Sequence, residues 1–214
     1  MPKALSEKPV VHVVDDDPSV RRALESLFRS VGLEARTYSS AQEFVASPKK
    51  DVPSCIVLDV RMPGMSGLEV QSRLVGLGIY IPVILITGYA DIPMTVKGMK
   101  AGAVDFLAKP FREQDIIDSV INAIEKDRKQ RASNRNVVEI ADKFSRLSPR
   151  EKQVMLLVTK GKLNKQVAGE LGITEVTVKL HRGAVMHKMG AQTLADLVRM
   201  ADALEQGYGF QKEV

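Results

Sequence analysis

VVHVVDDD (residues 10–17) runs five almost wholly apolar positions into three consecutive carboxylates. SCIVLD (54–59) and PVILIT (82–87) repeat the arrangement, each an apolar run rich in β-branched residues that ends on a polar side chain. A strand with one wet face alternates apolar and polar residues, and these runs do not alternate. They must be covered on both faces, which is the condition of parallel strands sandwiched between helices. Two further runs, at 33–37 and 103–107, bring the number to five. Between them, stretches such as 19–30 and 68–75 space apolar residues three and four apart, as helices do. The pattern is a βα repeat of five strands and five helices with right-handed crossovers, and the fold class is α/β.

In an open parallel sheet the C-terminal strand ends line one crevice. Asp15, Asp16 and Asp17 follow the first run, Asp59 closes the third, Thr87 the fourth, and Lys109 follows the fifth. Neighbouring strands lie about 4.8 Å apart, so side chains from the central strand ends can converge on one small ion. Crowded carboxylates repel one another unless a hard cation neutralises them. An all-oxygen set favours Mg²⁺, which keeps several waters and accepts phosphate oxygens. Lys109 offers a point charge for a phosphoryl group, and Thr87 a hydroxyl donor. Acidic residues at strand ends can also do no more than cap helices. That suffices for Asp17, just before Pro18, but not for four strand ends that each present a complementary group.

VVDDDPSVR (13–21), VLDVRMPGMSGLE (57–69), ILITGYAD (84–91) and AVDFLAKPF (103–111) together resemble the receiver domain of two-component response regulators, over roughly residues 8–128. The resemblance implies a flavodoxin-like doubly wound five-stranded sheet in the order 2-1-3-4-5. It implies that Asp59 accepts a phosphoryl group from a sensor histidine kinase. It also implies Mg²⁺ held by Asp16, Asp59, the backbone carbonyl of Arg61 and, largely through water, Asp15. Thr87 and Phe106 would be the switch pair, Lys109 would contact the phosphoryl group, and the Lys109–Pro110 bond would be cis. An aromatic on a strand is core more often than switch, so the role of Phe106 rests on the resemblance.

Phosphoryl transfer to a carboxylate needs little beyond positioning and charge stabilisation. The new phosphate oxygens then draw Thr87 toward them, leaving space into which Phe106 can turn and remodelling the fourth helix and fifth strand. The competing reading is a metal-dependent phosphohydrolase of the haloacid dehalogenase type, whose D-x-D motif Asp15 to Asp17 formally satisfies. Such an enzyme needs a further acidic pair after a later strand. Only Asp105 lies in that area, and Asp59 would have no role.

At 214 residues the chain suits two small domains. Its net charge of +5 is unevenly placed. Up to residue 128 there are 16 Lys and Arg against 17 Asp and Glu, and beyond it 15 against 9. A near-neutral half joined to a basic half suggests that the second half meets a polyanion, although basic surfaces also serve solubility. Cys55 is the single cysteine, in an apolar run, which reads as an inert buried thiol and excludes an internal disulfide or a cysteine-rich metal site. No run is long enough to span a bilayer, and the first eight residues show no apolar leader core, so the expected location is cytoplasmic with no membrane partner.

The divisions expected are a receiver over 8–124, a linker over 125–144 and a DNA-binding domain over 145–208. The fifth helix should start near Phe111 and carry Ile116, Ile117, Val120, Ile121 and Ile124 on one side. The linker lacks Pro and Gly and reads as partly helical, with Val137, Val138 and Ile140 in contact with something; a flexible coil competes. Beyond it, Ser148-Pro149-Arg150-Glu151 is a capping box with Pro at the first helical position. Gly161, Gly172 and Gly190 mark three helix ends, Thr174 caps a third helix, and a fourth covers 193–204. Residues 164–189 therefore have helix-turn-helix proportions, whose second helix enters the major groove.

On that helix Val178 reads as core, with Val176, Val185 and Met189 also at inward spacing. Lys179 is the first choice for a base edge, with Arg182 for phosphate or base. Lys165, Thr174 and Thr177 suit phosphate, and His181 lies on the same segment. Residues 147–201 resemble the LuxR-type helix-turn-helix, a likeness covering about residues 145–205. With the receiver, GYADIPMTVKGMKAGAVDFLAKPF (88–111) and VMHKM (185–189), the chain resembles FixJ-like regulators of the NarL/FixJ group. The function implied is a DNA-binding transcriptional response regulator and not an enzyme, activating transcription as a phosphorylation-promoted homodimer. Double-stranded DNA is its target and RNA polymerase a candidate partner. Gly183 departs from a good helix sequence, at about 1 kcal/mol relative to Ala. A remaining alternative makes the receiver a docking module only, with DNA binding constitutive.

Overall fold

The structure is a computed structural model that describes residues 8–208. The leader reading of residues 1–7 and the tail from 209 lie outside the described residues. The chain divides between Arg131 and Ala132 into two compact units.

The first unit holds five parallel strands, β1 (Val10–Val14), β2 (Glu34–Tyr38), β3 (Ser54–Asp59), β4 (Val83–Thr87) and β5 (Asp105–Ala108), in the order β2-β1-β3-β4-β5. Between and after them lie α1 (Pro18–Ser30), α2 (Ala41–Ala46), α3 (Gly67–Leu74), α4 (Ile92–Lys100) and α5 (Glu113–Ser145), with a single 3-10 turn at Val75–Leu77. Alternation along the strands explains the unbroken apolar runs. Val11, Val13, Cys55, Val57, Ile84 and Ile86 pack with Leu24 and Phe28 of α1 and Ile116 and Val120 of α5. Val14, Ile56, Leu58, Val83 and Leu85 pack on the other face with Phe44, Val70 and Leu74. Each face of the sheet is thus a core, and successive residues serve opposite layers.

The helices start where side chains accept the otherwise unpaired first-turn amides. Asp17 accepts from the Ser19 amide at 2.7 Å, so its capping role is as read. Ser66 and Glu69 form a capping box at α3, and Asp91 accepts from the Met94 amide at 2.6 Å at α4.

Helix α5 begins at Glu113, two residues after the expected start, and continues without a break to Ser145. The residues read as a linker are therefore helical throughout, consistent with their lack of Pro and Gly. Ile116, Val120, Ala123 and Ile124 are buried, the i, i+4, i+7, i+8 set of one helical face. Ile121 is half exposed because it lies well round the cylinder from Ile116, which corrects its assignment to that stripe. Val138 is likewise exposed, whereas Ile140 is buried. Asp127 of α5 is buried and accepts hydrogen bonds from the Ser54 amide at 2.8 Å and Arg131 Nε at 2.6 Å, and Arg131 also pairs with Asp51.

The second unit contains the end of α5 with α6 (Pro149–Thr159), α7 (Asn164–Leu171), α8 (Glu175–Met189) and α9 (Leu194–Tyr208). Ile140, Phe144, Met155, Val185, Met189 and Leu197 form one cluster, and Val154, Leu157, Val167 and Val178 another. The Ser148–Glu151 capping box is present. Lys188 Nζ lies 2.7 Å from Glu151 Oε2, which ties α8 to the start of α6 and holds the Glu151 carboxyl below its usual range.

His12 is buried in β1, its Nδ1 3.0 Å from the Tyr38 hydroxyl, and burial, reinforced by Lys49 and Arg36, pushes its pKa down to about 4. The imidazole is neutral in the native state, while the unfolded chain takes up its proton near pH 6.5. Stability should therefore fall as pH drops from about 6.5 to about 4, by about 3 kcal/mol in all from this group. Nuclear magnetic resonance titration of His12, with denaturant unfolding across that range, checks this. An imidazole titrating near 6.5 in the native state would refute it.

Candidate functional site

The strand-end crevice brings together the residues singled out in the sequence. Asp15 follows β1 and is fully buried; Asp59, the last residue of β3, is 6% exposed. Carboxylate oxygens of Asp15, Asp16 and Asp59 lie within 4.8 Å of one another. Lys109, just past β5, reaches in between, with Nζ 2.7 Å from Asp15 Oδ2 and 3.5 Å from Asp59 Oδ1. Burial pushes the Asp59 carboxyl above its ordinary range, Lys109 draws it back, and Asp15 pushes it up again.

The donor set fits a hard divalent cation. All three side chains offer oxygen, and Asp59 Oδ1 is buried without a hydrogen-bond partner among the described residues. A buried, unpartnered carboxylate oxygen is costly unless something positive meets it. Lys109 meets part of that need, at a distance beyond a good hydrogen bond.

Thr87, the last residue of β4, is fully buried, and its Oγ1 accepts from the Tyr89 amide at 3.3 Å. The Lys109 amide donates to the Thr87 carbonyl at 2.7 Å, and the Lys109–Pro110 bond is cis. Phe106 of β5 pairs in register with Leu85 and is half-buried against the core beneath α4. Arg61 lies two residues beyond Asp59, and its guanidinium sits 4.4 Å from the centre of the exposed Tyr89 ring.

Gly67, not singled out in the sequence, is required beside β3. A Cβ there would run into the carbonyl oxygen of Asp59 and press on Val60. The Gly67 amide also donates to the Val60 carbonyl at 2.9 Å, closing the turn from β3 into α3. The signal available was a glycine directly after the Ser66 cap, but only packing shows what it avoids.

In the second unit, α7 ends at Gly172 in the left-handed conformation and α8 starts at the Thr174 cap. Thr174 accepts from the Thr177 amide at 3.2 Å, and the two hydroxyls lie 2.9 Å apart. Lys165, Thr174 and Lys179 are exposed, while Thr177, His181 and Arg182 are half-buried. Arg182 Nη1 donates to Asn164 Oδ1 at 3.2 Å, tying α8 back to α7. Val178 is fully buried, as read. Val176 is 67% exposed and Leu180 71%, so Val176 does not pack inward; two residues before the buried Val178 it falls on another face. Helix α8 is unbroken through Gly183, which lies on the exposed side.

A doubly wound sheet with this crevice defines a receiver-type domain, and α7 with α8 defines a helix-turn-helix. Comparison with known proteins agrees with both. Residues 11–121 match the response regulator receiver domain, and residues 145–201 match the bacterial regulatory proteins of the luxR family. Nodulation protein W of Bradyrhizobium diazoefficiens is 57% identical over 93% of this chain and 88% of its own length. The transcriptional regulatory protein FixJ of Rhizobium meliloti is 42% identical over 93% of this chain and 97% of its own. The solved structure of the response regulator StyR superposes with a TM-score of 0.78 at 45% identity, covering 92% of this chain and 99% of that one. The chain belongs to the response regulators that join a receiver to a LuxR-type DNA-binding domain, and is FixJ-like. It is a transcriptional regulator and not an enzyme, which removes the phosphohydrolase alternative.

Gly67→Ala should lower the stability of the first unit by about 1–3 kcal/mol, the usual cost of forcing a methyl into a packed site. It should also disturb Asp59 because the clash is with that residue's own carbonyl. Urea unfolding checks the first effect, and amide chemical shifts of residues 58–61 the second.

Proposed function

We propose that Asp59 is the phospho-acceptor of a Mg²⁺-dependent switch that controls DNA binding by the second unit. The observation that carries this is the crevice itself. Lys109 bridges Asp15 and Asp59 while one buried Asp59 oxygen has no hydrogen-bond partner, beside the carboxylate of Asp16. The receiver implies a histidine kinase as partner, and the LuxR-type domain implies DNA.

Asp16, Asp59 and the backbone carbonyl of Arg61 would hold Mg²⁺, with Asp15 acting largely through water. The ion would supply charge neutralisation to the transferring phosphoryl group. Asp59 would attack phosphorus in line through a carboxylate oxygen, the new O–P bond forming as the P–N bond to the kinase's phosphohistidine breaks and its imidazole leaves. Lys109 follows the phosphoryl oxygens as charge builds on them. Thr87 gives its hydroxyl to the new phosphate, and Phe106 turns into the volume it leaves beneath α4. Ile92, Val96 and Met99 of α4 are exposed apolar side chains, which supports a phosphorylation-promoted homodimer through α4 and β5.

On DNA, α8 would lie in the major groove with Lys179 at a base edge and Arg182 at phosphate or base. His181 lies beside them, and Lys165, Thr174 and Thr177 would hold phosphates. Exposed Val176 and Leu180 add apolar surface suited to thymine methyl groups. The functional divisions we assign are a receiver over 8–124, a connecting segment over 125–144 and a DNA-binding domain over 145–208. We assign the protein to the cytoplasm as a transcriptional activator, with RNA polymerase as a further partner. Among the described residues no helix is long and apolar enough to cross a membrane.

With Mg²⁺ and beryllofluoride, the wild-type chain should double in mass by size exclusion and bind operator DNA more tightly, and Asp59→Asn should do neither. Unchanged mass and affinity in the wild type would overturn the switch. Full operator occupancy by Asp59→Asn in footprinting would instead show constitutive DNA binding. Lys179→Ala should cost about 1–3 kcal/mol and relax preference at one base pair. Lys165→Ala should weaken binding evenly across sequences and lower the salt slope by about 1.

A further inference from the structure

Three carboxylates share the crevice, and they are not held alike. Asp59 is fixed by its place at the end of β3 and by Lys109. Asp15 is gripped at both oxygens: the Asp17 amide donates to Oδ1 at 2.9 Å and Lys109 Nζ to Oδ2 at 2.7 Å. The carboxylate of Asp16 is exposed and takes no hydrogen bond or ion pair among the described residues. With no such partner, the starting direction of its side chain is set by its backbone. That backbone is held by Arg21, in the first turns of α1, whose Nη1 donates to the carbonyl of Asp15 at 2.6 Å and to that of Asp16 at 2.8 Å. These two carbonyls belong to the peptide planes on either side of the Asp16 Cα, so one nitrogen restrains both backbone torsions that set where its Cβ points.

We propose that Arg21 is the positioning residue for magnesium binding, acting by fixing the peptide planes that aim Asp16 at the crevice. The inference rests on the magnesium reading above. Arg21 works from the carbonyl side of the turn, so its cation lowers local negative potential without taking an oxygen that the ion would use. Groups that hold a ligand from behind often matter nearly as much as the ligand. Their loss typically weakens metal binding about 10–100-fold. Orientation is the lever because Mg²⁺ demands near-ideal geometry and tolerates a misdirected carboxylate poorly.

The test is calorimetric titration of the full chain with MgCl₂, for wild type, Arg21→Met, Asp16→Asn and the double variant. Arg21→Met should weaken binding about tenfold or more. The same substitution in the Asp16→Asn background should add little, since the side chain it aims is already impaired. Hydrogen exchange at the amides of residues 16 and 17 should quicken in Arg21→Met without added metal. Arg21→Lys, whose ammonium can still donate to carbonyls, should retain more affinity than Arg21→Met. Arg21→Gln repeats the comparison if the methionine variant does not fold. Unchanged magnesium affinity in Arg21→Met, or an equal loss with and without Asp16, would overturn the proposal. Absence of magnesium binding in the wild type would instead remove the reading beneath it.

Discussion

Everything in the first unit answers to one electrostatic demand: carboxylates must stand together, partly out of water, without driving the strand ends apart. Taking ionised groups out of water costs several kcal/mol each unless they are paired. Lys109 is the internal counterweight, at 2.7 Å from Asp15 and 3.5 Å from Asp59. It can reach both only if the ends of β1, β3 and β5 come level, which the in-register parallel pairing provides. The sheet order puts β1 beside β3, so the two buried carboxylates belong to neighbouring strands.

Lys109 also joins the charge of the crevice to the packing beneath α4. Its amide is bound to the Thr87 carbonyl, and Phe106 lies three residues earlier, on β5, against the core beneath α4. Charge and packing therefore meet on one short segment. Helix α4 lies close to the sheet at Gly98, where a Cβ would press into the side chains of Leu85 and Leu68 and lie 3.5 Å from Phe106. A helix seated that tightly has little room for gradual adjustment, and packed elements of this kind tend to change between discrete arrangements.

Much of this was legible beforehand because the relevant signals are local. Continuous apolar runs named β1, β3 and β4, and the polar residues at their ends named the site. Ser148, Thr174 and Asp17 act as helix caps because capping is set within four residues. The facing of a side chain does not follow from nearby apolar residues alone. Ile121, Val138 and Val176 are apolar and sit among apolar neighbours, yet each points away from the core. Helical phase moves about 100° per residue, so a position one or two steps from a buried one can be fully outside. The continuity of α5 was open for a related reason: a stretch without Pro or Gly permits a helix but does not require one.

By itself the sequence determined the α/β class, the identity of the crevice residues and the helix-turn-helix proportions, since these follow from periodicity, caps and residue chemistry along the chain. Tertiary structure alone decided which oxygen of Asp59 lacks a hydrogen-bond partner, that Gly67 must be glycine, and that Arg21 grips the carbonyls on both sides of Asp16. The physical reason is range. Propensity and capping act over a few residues, whereas the reach of a guanidinium or the approach of one backbone to another is fixed only when separate elements have packed.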